Sequence, residues 1–362
     1  MWLTTIGFTT SVLDPCVFLW RGEHPVWLYI HVDDIAIFGS HVEDFKAEIL
    51  KEFEIKDVGP AGLMLGIKVT HFPDYISLDQ HHFIDSLLEL YGMSDCNPVA
   101  TPLVPNEHLS PATSDEISEF EKLKVNFQRA VGSINFLSTA TRPDLLFAVS
   151  SLSQHLERPG ILHWKSFLHV LKYLKGTQDI GLTYPRCINV GIVAYTDADW
   201  GNCRILRRWV TGFLATVGGS LVLWKTRKQP SVSLSTAEEE YKALCDLTSE
   251  LMWLKQWCRE CDFLQLDNPI PVHEDNQSCI SIVKGDCNLN NKRMKHVYIQ
   301  LHFIKEAVKN NMINLIYTPT ADMLADFLTK TVPSLQSCLN SKLYTIDKNP
   351  RAQISAHDCR TT

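Results

Sequence analysis

Four acidic side chains spread along the chain, Asp197, Glu240, Asp275 and Asp326, could do chemistry if folding gathered them. Carboxylates brought to one point repel unless cations neutralise them. A donor set made only of oxygens selects hard divalent ions, magnesium or manganese. Two such ions about 4 Å apart stabilise the attacking and leaving oxygens of a phosphodiester displacement. Taken one at a time, each acid reads as a solvated surface charge. Their places relative to the surrounding elements set them apart as a group.

Those elements follow from pattern. Residues 191–196 read as a strand ending at Asp197, and 210–217 with 221–225 as two more strands around Gly218-Gly219, a plausible hairpin turn. Residues 235–261 read as a long helix. Ser235 and Glu238 give its capping signature, and Tyr241, Leu244, Leu247, Leu251 and Leu254 form its buried stripe. Glu240 then lies one turn into that helix. Residues 271–274 form a fourth strand that Asp275 ends. Helices over 276–283 and 296–309, a fifth strand over 312–317 and a closing helix over 321–329, which carries Asp326, complete the segment. The order β-β-β-α-β-α-α-β-α predicts a mixed five-stranded sheet covered by helices, an α/β fold.

Upstream, residues 26–38 read as a hairpin with Asp33-Asp34 at its tip. Residues 43–53 have helical spacing with Phe45, Ile49 and Phe53 on one face. Residues 63–69 and 75–78 are short strands, and 82–92 a helix ending at glycine. From 122 to 175 the pattern is mostly helical, with Phe167, Val170, Leu171 and Leu174 at packed-helix spacing. The proline-rich residues 97–115 read as a linker, because proline lacks an N–H and restricts the residue before it.

Composition fits a folded protein: 362 residues, 45% apolar and 21% charged. No apolar stretch approaches the ~20 residues needed to span a bilayer, so no membrane partner is expected. Eleven scattered cysteines suit a reduced setting, and the chain is expected in the cytoplasm or nucleus. Cys258 and Cys261 have knuckle spacing without a second pair, so packing is favoured over zinc. The net charge of −7 is uneven: residues 1–150 carry 9 Lys+Arg against 21 Asp+Glu, and the remainder 25 against 20. A nucleic-acid contact therefore belongs in the second part.

The segment 191–330 resembles the ribonuclease H domain of copia-type retrotransposon Pol polyproteins. The motifs are Tyr195-Thr-Asp-Ala-Asp-Trp200, Leu234-Ser-Thr-Ala-Glu-Glu-Glu-Tyr-Lys-Ala-Leu244, Glu274-Asp-Asn-Gln-Ser278, Lys295-His296 and Ala325-Asp-Phe-Leu-Thr-Lys330. The resemblance continues upstream. Leu28-Tyr-Ile-His-Val-Asp-Asp-Ile-Ala-Ile37 is similar to the strand-turn-strand of reverse transcriptase, and Thr141-Arg-Pro-Asp144 and His163-Trp164 follow the family order. It implies a truncated reverse transcriptase palm and thumb over 1–100, a linker and helical connection over 101–188, a ribonuclease H-like domain over 189–335 and a disordered tail over 336–362.

It also implies that Asp197, Glu240, Asp275 and Asp326 bind two magnesium (or manganese) ions and catalyse hydrolysis of RNA in RNA–DNA hybrids. Glu240, which precedes the tyrosine, takes the catalytic place among three adjacent glutamates. Arg227, Lys228, Lys295 and His296 are the expected nucleic-acid contacts. Asp33 and Asp34 are expected to be a polymerase relic, because the upstream aspartate and the fingers of the family are missing from this chain. The rest of Pol is then a partner supplied from outside. The sequence departs from the family pattern at His31, Trp209, Glu239, Tyr298, Ala321 and Met323. The alternative is a degenerate remnant without activity that at most binds nucleic acid.

Overall fold

The computed structural model describes residues 2–105, 107, 109–186, 191–199, 209–229, 236–264, 266–285 and 298–332. They form two compact units, Met1–Leu65 with Ser249–Asn268, and Gly66–Thr248 with Pro269–Thr362.

In the first unit a short helix α1 (Trp2–Thr5) precedes strands β1 (Thr9–Thr10), β2 (Val17–Trp20), β3 (Val26–His31) and β4 (Asp34–Gly39). They pair antiparallel in that order. Helix α2 (Val42–Glu52) buries Phe45 and Ile49 with Phe8, Phe18, Val26 and Leu28. Phe53, expected on the same face, follows the helix in extended backbone and is 46% exposed. The helix stops before Phe53 can join its stripe. The expected strand over 63–69 is broken: β5 (Leu63–Met64) ends at Leu65 and Gly66, both at positive φ, before the chain resumes at Ile67.

In the second unit β6 (Ile67–His71) and β7 (Tyr75–Asp79) form an antiparallel hairpin, and helix α3 (His81–Leu90) follows. Among residues 97–113 the described ones form no helix or strand, yet Thr101 and Leu103 are buried and Leu103 joins the core. Helices α4 (Ser114–Glu121), α5 (Phe127–Ala140), α6 (Leu146–Ser153) and α7 (Ile161–Gly176) come next, then β8 (Leu182–Pro185), antiparallel to β7. Phe167, Val170, Leu171 and Leu174 are fully buried, as their spacing predicts. The buried Arg142 guanidinium pairs with Asp144 at 2.7 Å, and the Tyr173 hydroxyl donates to the same carboxylate at 2.7 Å. A buried charge needs such partners.

The remaining strands build the expected sheet. Strands β9 (Ile192–Asp199), β10 (Val210–Val217) and β11 (Ser220–Lys228) are antiparallel neighbours. Gly218 and Gly219, both at positive φ, close the β10–β11 hairpin; two such residues give a turn twisted like its strands. Helix α8 (Thr236–Glu260) follows, with Tyr241, Leu244, Leu247 and Leu251 fully buried along its stripe. Ser235 of its expected cap lies outside the described residues. Strand β12 (Ile270–Glu274), helices α9 (Gln277–Lys284) and α10 (Tyr298–Lys309), and strand β13 (Ile313–Tyr317) complete the order. The sheet reads β11-β10-β9-β12-β13, with β12 parallel to both of its neighbours. This is the mixed five-stranded α/β sheet expected from the sequence. One core joins it to the helices before it: Val210, Leu214, Leu221, Phe327 and Leu328 pack in a single cluster with α3 and α5–α7.

Two expectations fail locally. Asp197 does not end its strand, since β9 stays paired with β10 as far as Asp199 opposite Val210. The closing helix over 321–329 is instead two 3-10 turns, Thr320–Asp322 and Asp326–Leu328, separated by extended backbone at Met323. Met323, Ala325 and Phe327 are all buried. An alternating step of two cannot place three side chains on one face of an α-helix.

Candidate metal centre

Asp197 sits on the central strand of the sheet, two residues from its end, and is 4% exposed. Its cross-strand neighbour on β10 is Gly212. A Cβ at Gly212 would come within 2.6 Å of Thr329 Cγ2 and 2.7 Å of Leu328 Cβ. The missing side chain lets the Asp326–Leu328 turn and Thr329 lie against β10, beside Asp197. There the Thr329 hydroxyl donates to Asp197 Oδ2 in a short hydrogen bond.

Glu240 comes from the second turn of α8 and is 5% exposed. The adjacent acids are not in the ligand group: Glu238 pairs with Lys242 at 3.0 Å, and Glu239 is fully buried. Asp275 follows β12 directly. The Thr320 hydroxyl donates to its Oδ2 at 2.7 Å. The next residue, Asn276, caps α9 by accepting the Cys279 N–H at 3.0 Å, which fixes the turn where the chain leaves the sheet.

Oxygens of Asp197, Glu240 and Asp275 lie within 4.8 Å of one another. Asp326 stands beside them rather than among them, with its Oδ2 2.9 Å from the Lys330 ammonium. The expected four therefore meet as a trio with a neighbour. Its electrostatics are those of an acidic cluster in a dry place. Burial pushes the Asp197 carboxyl up to about 7, the Asp326 and Asp275 charges add to this, and the Thr329 hydrogen bond opposes it. Burial, then the charges of Glu274, Asp197 and Asp275, hold Glu240 well above the usual carboxylate range. Asp326 is raised chiefly by burial and relieved by Lys330.

Glu274, Thr329, Lys330 and Gly212 were not singled out by sequence reasoning. Glu274 is fully buried; its Oε1 accepts the Asn276 N–H at 3.0 Å and its Oε2 has no hydrogen-bond partner. Thr329 and Lys330 stand three and four residues after Asp326 inside a motif already noted, so helical-turn spacing was the available signal.

The other candidates are scattered. Asp33 and Asp34 are exposed at the β3–β4 turn, where Val32 has a φ of 53°. Arg227 and Lys228 end β11, an edge strand; Arg227 is exposed and lies 3.7 Å from Asp246. Lys295 and His296 lie outside the described residues. Cys258 and Cys261 are buried, and burial pushes both thiols up, Cys261 to about 11, as suits packing rather than metal binding.

The family described as reverse transcriptase (RNA-dependent DNA polymerase) matches residues 1–105. The retrovirus-related Pol polyprotein from transposon TNT 1-94 of Nicotiana tabacum is 34% identical over 331 residues, 88% of this chain and 24% of that protein. The corresponding polyprotein from transposon RE2 of Arabidopsis thaliana is 30% identical over 333 residues, 91% of this chain and 22% of that protein. The chain thus spans about a quarter of the length of these curated relatives. A solved structure, the foamy viral protease-reverse transcriptase in complex with RNA/DNA hybrid, aligns with 81% of this chain and 36% of that chain, at 12% identity and a TM-score of 0.44. Identity of 30–34% along nearly its whole length makes the chain a homologue of the Pol polyproteins of copia-type retrotransposons, with a reverse transcriptase match over its first 105 residues.

Proposed function

We propose that residues 189–335 form a divalent-metal-dependent ribonuclease that hydrolyses the RNA strand of an RNA–DNA hybrid. The observation that carries this is the convergence of Asp197, Glu240 and Asp275 oxygens within 4.8 Å. The donor set fits the ion. It is all oxygen, it is crowded with like charge, and the buried Glu240 Oε2 has no hydrogen-bond partner. Asp197, Glu240 and Asp275 would hold one magnesium or manganese ion, and Asp197 with Asp326 a second. When bound, these ions activate water and neutralise charge on the scissile phosphate.

The protein's own share is placement. Asp197 is fixed by the central strand and by Thr329, Asp275 by Thr320, and Glu240 by a hydrogen bond from the Ala198 backbone. Burial removes competing water and strengthens charge effects at the site. In the reaction the water oxygen bonds to phosphorus, the P–O3′ bond breaks and the leaving oxygen takes a proton, giving a 3′-hydroxyl and a 5′-phosphate. Arg227 and Lys228, with Lys295 and His296, are proposed to contact the hybrid backbone, where phosphate contacts supply position and affinity. The rest of Pol is a proposed second partner, and the cytoplasm or nucleus the proposed setting.

Polymerase activity is not part of this proposal. Among the described residues the Asp197 trio is the group of three ligand side chains that converges, and Asp33 and Asp34 stand outside it.

The test is a gel assay on a hybrid labelled in its RNA strand, at low salt, with magnesium and then manganese. Cleavage is expected with either ion. Removing outer partners of metal ligands costs roughly 10–100-fold, so replacing a direct ligand by Asp275→Asn should cost on the order of 100-fold or more. Circular dichroism should be unchanged in that variant, because relief of carboxylate repulsion offsets the lost contact. Folded protein that cleaves with neither ion would establish the inactive-remnant reading instead.

A further inference from the structure

Asp326, beside the trio, is paired with a cation of the protein's own. The Lys330 ammonium lies 2.9 Å from Asp326 Oδ2 and faces the charges of Asp197 and Asp199 as well. Asp326 Oδ1 is shut from solvent and has no hydrogen-bond partner. On the other side Thr329 holds Asp197 Oδ2. Two successive residues thus occupy one oxygen on each of the two carboxylates that would share the second ion. The charges acting on Glu240, in the trio, are instead those of acids, Glu274, Asp197 and Asp275. The Lys330 side chain is 32% exposed, so its flexible stem can swing the ammonium into water without opening the core.

Building on the metal-ion reading above, we infer that Lys330 is the resident counter-cation of the second ion position. Its ammonium keeps Asp326 neutralised, and a second divalent ion binds between Asp197 and Asp326 only by displacing it. The two ions then load in order, the first at Asp197, Glu240 and Asp275, the second at a higher concentration. Lys330 is a positioning residue: it sets which ion concentrations fill the site and makes no contact with the reacting phosphate.

The physical basis is charge competition. An ammonium and a divalent cation on the same carboxylate repel, and in a partly desolvated site that repulsion is strong. Neutralising Lys330 should tighten the second ion's binding by about tenfold or more.

The experiment is isothermal titration calorimetry of the full chain with manganese chloride at fixed pH and low salt. The wild type should show a tight and a weak phase. Lys330→Gln should strengthen the weak phase and leave the tight one unchanged. Lys330→Arg, which keeps the charge, should restore the wild-type separation; Lys330→Met, of similar reach, replaces Lys330→Gln if that variant does not fold. Asp275→Asn should weaken the tight phase. A weak phase of equal affinity in wild type and the neutral variants, with the tight phase intact, would overturn the inference and leave the metal-ion reading standing. Absence of any manganese binding to the folded wild type would overturn both.

Discussion

At the residue scale the cluster is governed by the conflict between burial and charge. Asp197 is 4% exposed and is lifted from 3.8 to about 7, chiefly by that burial. Glu240, Glu274 and Asp326 are raised by the same cause. A carboxyl whose pKa is higher in the folded chain binds its proton more tightly when folded. Its contribution to stability is complete below its unfolded pKa and is lost as pH rises through the folded value. In the presence of a chelator the melting temperature should therefore fall as pH is raised from 5 to 8. Magnesium or manganese should remove most of that fall at pH 8, because a divalent cation replaces the proton as the neutralising charge. Thermal denaturation across this range, with and without metal, is the measurement. A melting temperature that climbs from pH 5 to 8 in chelator would contradict the assignment of these acids to one buried cluster.

At the element scale the site is an arrangement of ends and turns around the central strand. Strand β9 presents Asp197, the first turns of α8 present Glu240, and the capped start of α9 fixes Asp275. The Asp326–Leu328 turn is the most dependent part, because it is a single short 3-10 turn whose seat is its packing against β10. Gly212 permits that packing; a methyl there would sit 2.6 Å from Thr329 Cγ2 and 2.7 Å from Leu328 Cβ. Gly212→Ala should cost about 1–3 kcal/mol in urea denaturation, the usual range for overpacking a tight contact. It should also reduce cleavage more than stability alone explains, because the atoms displaced include those that hold Asp197. Equal stability and activity in Gly212→Ala and wild type would show that the turn accommodates the methyl by moving without consequence.

At the scale of the whole molecule the two units present different groups of acids. The first presents Asp33 and Asp34 on an exposed turn. The second holds the converging carboxylates and shares one core with its helices. The purified chain should not extend a primed template with labelled nucleotides. Incorporation that disappears in Asp33→Asn would reverse this. The excess of basic residues after residue 150, 25 Lys+Arg against 20 Asp+Glu, is small. Hybrid binding should then be weak and fall steeply with salt, since backbone contacts release counterions. A filter-binding series in salt measures that slope. No helix among the described residues is long and apolar enough to cross a membrane.

Sequence by itself determined the order of strands and helices in the five-stranded sheet, because alternation and helical spacing are local and survive without knowledge of partners. It also determined which acids to examine: Asp197, Glu240 and Asp275 were legible by their places in the element order, and their oxygens lie within 4.8 Å of one another. The buried stripe of α8 and the Gly218-Gly219 turn were legible for the same reason. What only the tertiary structure decided depends on residues distant in the chain. The extent of β9 past Asp197 is set by its pairing with β10. The replacement of a closing helix by two 3-10 turns is set by the burial of Met323, Ala325 and Phe327. The engagement of Asp326 by Lys330 and of Asp197 by Thr329 follows from that turn, and from the space that Gly212 leaves for it. Periodicity reports which way a side chain faces within its own element; packing across β10 fixes how close two elements come, and no local pattern encodes that distance.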